Sequence, residues 1–535
     1  MKHFFLLPVL ASVLIAGCAS PSSDRIDTPT MGWSSWNAFM TDISDTLIMQ
    51  QADLIKSLGL ADAGYDHINI DDGFFGPRDL YGNMTENPVR FPDGMMPVVD
   101  HIHSLGLKAG IYSDAGDNTC GSSYNDDFYG LGAGFWRHEI QDAQVYFNDW
   151  NFDFIKIDFC GGNHLKLNPE EQYLRIREVI DSVSTHPVEV NVCRWHYPGT
   201  WVGRAGNSWR ISGDIAPEWR FITYIMRMNM YLSAYAGGGK YNDMDMLVVG
   251  YSGRPSMLRR GTGITFAEEE AHFALWCFMS SPLLIGCDLA YLPEDTRTLI
   301  TNAELIALNQ DPLGLQPHVV QHDGEGYVLV KDIKALRGHE RAVALYNPSD
   351  EAVSFDVPLE TIGFSLSVSL RDLVHHADLG TVERIRIDVP AHYARILSAK
   401  GTKRVEPQVY EAEWAYIPAF NDISGDGGKY IDAEGASCGA AVTNLGGSDD
   451  NCLQWRDIFL KKGGKCTARL FYETSRPCSV EVSVNGVVRR IELPATAGFG
   501  NIEIPLHLRK GNNIVCLGNP AEEIPAVIDC IEISR

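Results

Sequence analysis

The sequence predicts an α/β protein: a (β/α)8 TIM barrel, then an antiparallel β-sandwich, then a C-terminal β-sandwich of jelly-roll type. Three observations lead there. Between Met31 and Leu313 short apolar runs alternate with segments of helical period. After Pro312 that period stops, and strand-like runs separated by turns take over. A polar break at Lys400-Gly401-Thr402-Lys403 then divides the β-rich half in two.

Eight runs supply the barrel strands: 31–33, 67–72, 108–114, 154–160, 188–193, 208–214, 241–246 and 280–286. Helical patterns lie between them; Ile48, Ala52, Ile55 and Leu58, for example, fall on one helix face. Such alternation implies parallel strands, and about 280 residues suit a closed barrel. An open doubly wound sheet is the rival, weakened because no Gly-rich phosphate loop follows the first strand. The runs 326–330, 341–347 and 391–397 mark the middle β-domain, and 467–472 and 480–486 the last. The resulting organisation is a barrel over 29–313, a sandwich over 314–400 and a C-terminal domain over 405–535.

Residues 1–18 read as an address. Lys2 and His3 precede an apolar run from Phe4 to Ile15, too short to span a membrane and suited to a signal peptide. Ile15-Ala16-Gly17-Cys18 resembles a bacterial lipoprotein cleavage box, which implies that Cys18 becomes the lipidated first residue, with 19–28 as a tether. The expected location is the bacterial cell envelope, with a lipid anchor; plain secretion is the alternative. The formal charge of −25, from 69 acidic and 44 basic residues, argues against a nucleic-acid or anionic-membrane surface and is compatible with a neutral substrate. Beyond Cys18, eleven cysteines remain, an odd number in an exported chain. Cys120 and Cys160 are the first candidates for a disulfide, because both follow predicted strand ends on one barrel face. Cys277 and Cys287 sit in apolar surroundings and read as buried thiols.

In a barrel, side chains just past the C-terminal strand ends converge on one mouth. Here those ends carry Asp71, Asp72, Asp114, Asp158, Arg210 and Asp214, with Cys193 to Trp195. Lys156 lies two residues before Asp158, hence on the same side of its strand. A positive neighbour favours the ionised carboxylate that a nucleophile needs. Asp214 is then the second carboxyl, protonated to act as general acid and later as base. Taken singly, an Asp after a strand also serves as a turn or helix cap. Trp33, Trp36, Phe74, Trp195, Tyr197, Trp201 and Trp209 crowd the same ends and could stack on a sugar face or pack the core. Paired carboxylates with aromatic walls point to glycoside cleavage.

Six ordered motifs make this specific: Met31-Gly32-Trp33-Ser34-Ser35-Trp36-Asn37, Ile70-Asp71-Asp72-Gly73, Gly110-Ile111-Tyr112-Ser113-Asp114-Ala115-Gly116, Lys156-Ile157-Asp158-Phe159-Cys160, Ser208-Trp209-Arg210-Ile211-Ser212-Gly213-Asp214 and Asn309-Gln310-Asp311-Pro312-Leu313-Gly314. Over roughly residues 29 to 398 the chain resembles glycoside hydrolase family 27, the α-galactosidases and α-N-acetylgalactosaminidases. The resemblance implies a retaining exo-glycosidase for terminal α-linked galactose, with Asp158 as nucleophile and Asp214 as acid/base. It also implies that Asp71 and Asp72 hold the 4- and 6-hydroxyls, Lys156 the 3- and 4-hydroxyls and Arg210 the region of the 2-hydroxyl. Trp36 and Met246 would form apolar walls, Cys193, Arg194 and Trp195 another side of the pocket, and Cys120–Cys160 a disulfide beside it. The expected partner is a galactose-containing oligosaccharide or glycan, and hydrolysis would need no cofactor. α-N-Acetylgalactosaminidase and β-L-arabinopyranosidase activity are the alternatives within the family. A non-catalytic glycan-binding lipoprotein is the alternative outside it, opposed by the presence of Asp158, Asp214 and Lys156 together.

Two departures from the family pattern stand out. A cysteine pair that members commonly carry is replaced by Thr41 and Gly73, both partners at once. After Cys193, where many α-galactosidases have a glutamate, this chain has Arg194, which can only donate hydrogen bonds. The C-terminal domain resembles a carbohydrate-binding module of family 6 or 35, through Tyr410-Glu411-Ala412-Glu413, Leu453-Gln454-Trp455 and Ile528-Asp529-Cys530-Ile531-Glu532-Ile533. That resemblance implies a structural calcium held by Glu411, Glu413 and Asp529. Trp455 reads as a core residue.

Overall fold

The computed structural model describes residues 28–251, 262–421 and 426–534; Cys18 and the expected signal and tether segments, but for Thr28, lie outside the described residues. The barrel strands are β1 (Met31–Ser34), β2 (His67–Asn69), β3 (Lys108–Asp114), β4 (Phe154–Asp158), β5 (Glu189–Val192), β6 (Ser208–Arg210), β7 (Tyr241–Asp243) and β8 (Leu283–Ile285). They pair in parallel in the order β7-β6-β5-β4-β3-β2-β1-β8. A parallel bridge between Leu247 and Ile285, with Leu247 N–H donating to the Leu284 carbonyl at 2.7 Å, joins the two ends of that order and closes the ring. This is the predicted (β/α)8 barrel, and the doubly wound sheet is excluded. The strands are buried almost throughout, as expected of parallel strands lined inside and covered outside.

Strand ends differ from the sequence expectation where a polar tail follows the ladder. The run 208–214 is strand only to Arg210; Ile211 N–H still reaches the Asp243 carbonyl at 3.2 Å, and a turn at Ser212-Gly213 then carries the chain away. Asp214 therefore sits on a loop four residues past the strand. Asp71 and Asp72 likewise lie just beyond β2.

The helix Asp45–Ser57 buries Ile48, Ala52 and Ile55 as its spacing predicts, and Ser44 caps it by accepting from Leu47 N–H at 3.2 Å. Leu58 already occupies the C-cap, so the predicted stripe is one residue too long. The helix Phe266–Met279 begins with a capping box between Thr265 and Glu268 and is buried at every position from Ala271 to Met279. It can be apolar all round because the helix Ala303–Asn309 and the middle domain cover it.

The middle domain has a six-stranded antiparallel sheet facing a two-stranded one. The larger comprises β9 (His318–Asp323), β10 (Gly326–Asp332), β11 (Glu340–Asn347), β13 (Val368–Asp372), β14 (Ala377–Val382) and β16 (Tyr393–Gly401); β12 (Val353–Pro358) pairs with β15 (Arg384–Val389). In the C-terminal domain one sheet is built on Gly464–Glu473 and Val527–Ser534, and a second, four-stranded sheet contains Leu453–Leu460 and Cys478–Val484. Trp455 is buried, its indole N–H on the Glu411 carbonyl at 2.8 Å, in keeping with a core role.

The C-terminal domain is wedged against the barrel loop that follows β5. Tyr235 of the barrel stacks on Phe420 with ring centroids 4.9 Å apart, and Tyr197 packs against the same ring at a tilt, 5.2 Å away. Tyr235 and Tyr430 share a hydroxyl hydrogen bond at 2.8 Å, and Thr200 donates to the Pro418 carbonyl at 2.7 Å. The loop carrying Arg194, Trp195 and Tyr197 is thus clamped from outside the barrel.

Candidate active site

A cavity at the barrel mouth is lined by Asp71, Lys156, Asn191, Arg210, Asp245 and Met246, among others. A wider hollow on the barrel flank, near Met84 and Trp150, is lined by one carboxylate, Asp149, and by no basic side chain among the described residues.

Asp158 ends β4 and is 4% exposed. Lys156 Nζ lies 3.9 Å from its Oδ2 and, closer, 3.0 Å from Asp71 Oδ2. The Cys193 thiol, which burial keeps protonated, hydrogen-bonds to the same carboxylate. Asp158 Oδ1 is buried and has no hydrogen-bond partner among the described residues. Burial raises the Asp158 carboxyl above its usual range; Lys156 offsets only part of this and Asp71 adds to it. Lys156 acts on Asp158 in the expected direction, but the ammonium is shared with Asp71. For Lys156 itself burial works against the charge, yet Asp71 and Asp158 together hold it above its usual value.

Arg210, at the end of β6, is the other hub. Its Nη2 donates to Asp214 at 3.0 Å and to the Ser212 carbonyl at 3.2 Å, and it forms an ion pair with Asp245 at 2.9 Å. Asp214 is 53% exposed on its loop, in contrast to the enclosed Asp158. Asp245 is the residue sequence reasoning missed. It is buried, receives Ile215 N–H at 2.8 Å as well as Arg210, and burial pushes its carboxyl up to about 6 against the pull of Arg210. Its signal was present in Asp243-Met244-Asp245-Met246, a carboxylate just past a strand like the others. Asp243 accepts from Asn191 at 2.8 Å and completes a polar belt across β5, β6 and β7.

Asp71 lines the cavity, and Asp72 is the next residue. It is fully buried, engaged by Gly121 N–H at 2.6 Å, Gly73 N–H at 2.8 Å and the Thr119 side chain, and burial pushes it up to about 7. It fastens the loop that carries Cys120. That cysteine forms the disulfide with Cys160, closing a separation of 40 residues, worth about 4 kcal/mol in chain-entropy terms. The Cys120 sulfur lies 3.4 Å from Asp158 Oδ2; having no proton, it acts there as a wall. Thr41 and Gly73 are in contact, since a Cβ at Gly73 would stand 2.7 Å from the Thr41 Cα, so the two departures from the family pair do occupy one place.

Asp114 pairs in register with Asp158 and bridges the two disulfide-linked turns, accepting from Gly116 at 2.6 Å and Gly161 at 3.1 Å. Those turns meet so closely that a Cβ on Gly116 would lie 2.0 Å from the Gly161 backbone. Burial pushes Asp114 up to about 8. A carboxyl raised in the folded state binds a proton that the unfolded chain releases, so its contribution weakens as pH rises from about 4, the unperturbed value, to about 8. Asp114→Asn cannot titrate and is expected to gain thermal stability relative to the parent across that window. Melting temperatures of the two proteins from pH 4 to 8 check this, and a constant gap would refute it.

Of the predicted aromatic residues, Trp33, Phe74, Tyr197 and Trp209 are fully buried core, and Trp201 stacks on Tyr173 at 5.9 Å. Trp36 and Trp195 keep exposed surface. Arg194 is buried with its guanidinium 4.3 Å over the Phe159 ring, and its Nε and Nη1 have no partner among the described residues. Cys277 and Cys287 are buried free thiols.

In the C-terminal domain Glu411, Glu413 and Asp529 do converge, but with Ser437, Cys438 and Cys530 among them. Calcium takes six to eight oxygen ligands and thiols are not among its usual donors, so this mixed set fits it poorly.

Comparison with known proteins agrees with this geometry. Residues 28–311 match the family model described as alpha galactosidase A, and residues 333–399 match the alpha galactosidase C-terminal beta sandwich domain. Alpha-galactosidase 3 of Arabidopsis thaliana is 38% identical over 372 residues, covering 68% of this chain and 80% of its own. Alpha-galactosidase A of Cellvibrio japonicus is 34% identical over 410 residues, covering 72% and 95%. The crystal structure of alpha-galactosidase I from Mortierella vinacea superposes with a TM-score of 0.63 at 28% identity, covering 72% of this chain and all of that one. The chain belongs to glycoside hydrolase family 27, the α-galactosidase family.

Proposed function

We propose that this chain is an exported α-galactosidase that removes terminal α-linked galactose by double displacement. The observation that carries the reading is the enclosed Asp158, one oxygen unpartnered, beside the Lys156–Asp71 pair and across the mouth from the Arg210-anchored Asp214. In the first step Asp158 attacks the anomeric carbon while Asp214 gives its proton to the departing oxygen. In the second, Asp214 takes a proton from water, which displaces Asp158 from the same face that the aglycone left. Asp71 and Lys156 bind the ring hydroxyls, and Arg210 holds Asp214 and Asp245 in place. No cofactor enters either step.

The test is a panel of p-nitrophenyl α-galactoside, α-N-acetylgalactosaminide and β-L-arabinopyranoside. Turnover of the first by at least tenfold in kcat/KM over the others is expected; a preference for either of the others would overturn the sugar, and turnover of none would overturn the enzyme. Secretion through residues 1–18 with lipid on Cys18 belongs to the same reading, supported by the apolar run and lipobox-like sequence. Loss of membrane association in Cys18→Ala, with activity retained, is the expected result. The C-terminal domain is read as a carbohydrate-binding module.

A further inference from the structure

The C-terminal domain encloses a cluster of three acidic side chains with no basic partner among the described residues, and burial raises all three carboxyls. Glu411 ends the strand Val409–Glu411 and lies directly opposite Cys530 of Val527–Ser534. Glu413 follows on a short turn and is fully buried, and beyond its own backbone N–H its carboxylate has no hydrogen-bond partner among the described residues. Cys438 reaches the cluster from a turn on which it adopts the left-handed φ of 54°. Its Sγ is 3.6 Å from Glu411 Oε1, and one ligand atom from each of Glu411, Glu413 and Cys438 lies within 4.8 Å of the others. Glu411, Asp529 and Cys530 form a second such triad sharing Glu411. Ser437 Oγ stands 2.5 Å from Glu411 and 2.8 Å from Asp529, but a hydroxyl has a single proton and can serve only one of them. Among the described residues no lysine or arginine pairs with any of the three carboxylates, and an unpaired buried charge is costly.

We propose that this cluster is a zinc-class cation site, with Glu411, Glu413 and Cys438 as ligands and Asp529 and Cys530 closing it on the far side of Glu411. A thiolate with carboxylates is a donor set for a borderline-soft divalent ion, not for calcium. Zinc–sulfur and zinc–oxygen bonds of about 2.3 and 2.0–2.2 Å meeting at the tetrahedral angle separate sulfur from oxygen by about 3.5–3.7 Å, and Cys438 and Glu411 already stand at 3.6 Å. Binding releases the Cys438 thiol proton to solvent. The site also lies at a domain junction. Gly439 is packed so that a Cβ would fall 2.5 Å from the His322 ring of β9, and the Trp414 indole N–H bonds the Val319 carbonyl at 2.9 Å. The cation would fix the turns that dock this domain on the middle one, at a distance from the barrel chemistry.

The experiment uses the full chain, stripped by chelation and reloaded with zinc, calcium or cobalt(II). One zinc per chain is expected to survive dialysis and to restore the melting temperature lost on stripping, whereas calcium does not. Cobalt(II) is expected to give the near-ultraviolet thiolate charge-transfer absorption, which Cys438→Ser abolishes and an all-oxygen site cannot produce. Glu413→Gln is expected to lower zinc retention at least tenfold while aryl galactoside turnover stays unchanged. Calcium restoring stability in place of zinc, cobalt binding without the thiolate band, or a Cys438–Cys530 disulfide in the purified chain would each overturn the proposal, as would a stripped protein that binds neither metal.

Discussion

Asp158→Ala is expected to lower kcat on an aryl α-galactoside by about four orders of magnitude or more, and azide is expected to restore turnover with a β-galactosyl azide as product. Asp158 fills the end of β4 against the Cys120–Cys160 disulfide, so truncation leaves a small enclosed space directly under the anomeric carbon. An azide ion entering that space attacks from the face the carboxylate used, inverting the α-linkage in one displacement. The Lys156 ammonium, freed from Asp158 but still 3.0 Å from Asp71, helps admit the anion. Near-normal turnover in Asp158→Ala would remove it as nucleophile, and an α-configured azide product would remove the geometry. A companion measurement concerns charge: Lys156→Met withdraws what offsets the burial of Asp158, so the acidic limb of kcat/KM should move to higher pH.

The barrel was legible in the sequence because strand and helix periods alternate without interruption and because each catalytic-side carboxylate follows a β-branched run. What the sequence could not show was how the charges divide. Lys156 stands two residues before Asp158, which placed it on the same side of the strand; in space Asp71, from a loop 85 residues earlier, takes the shorter contact. Asp71 and Asp72 read as equivalent neighbours, yet their partners differ: Asp71 lines the cavity and pairs with Lys156, while Asp72 accepts from Gly121 N–H on the loop that carries the disulfide. Asp245 carried the same strand-end signal as Asp158 but lay beside Met246, and its partnership with Arg210 depends on β6 and β7 being neighbours, a tertiary fact. Asp214 looked like a strand end because Ile211 continues the apolar run; the ladder stops at Arg210, since Ser212-Gly213 turns the chain. The clamp of Tyr197, Tyr235 and Phe420 joins residues about 200 apart in the chain, beyond the reach of any local pattern.

Asp214→Ala is expected to separate the two steps. Protonating the leaving group matters little when that group is a good one, so a p-nitrophenyl galactoside should still form the covalent intermediate quickly. An unactivated sugar–sugar linkage should lose about a hundredfold to ten-thousandfold, the usual worth of a positioned general acid. Hydrolysis of the intermediate needs the same group as base, so on the aryl substrate the variant should show a burst of p-nitrophenol followed by slow turnover and a low KM. Azide needs no base: it should relieve the slow step and yield the α-galactosyl azide, of configuration opposite to the product from Asp158→Ala. The location of Asp214 makes this division physical. It stands more than half exposed on a loop, tied back by one hydrogen bond from Arg210, where both the departing oxygen and the incoming water can reach it. Equal losses on the aryl and disaccharide substrates, with no response to azide, would show that Asp214 merely orders the loop, and the acid/base would then have to be sought at Asp245, the other carboxylate that Arg210 holds.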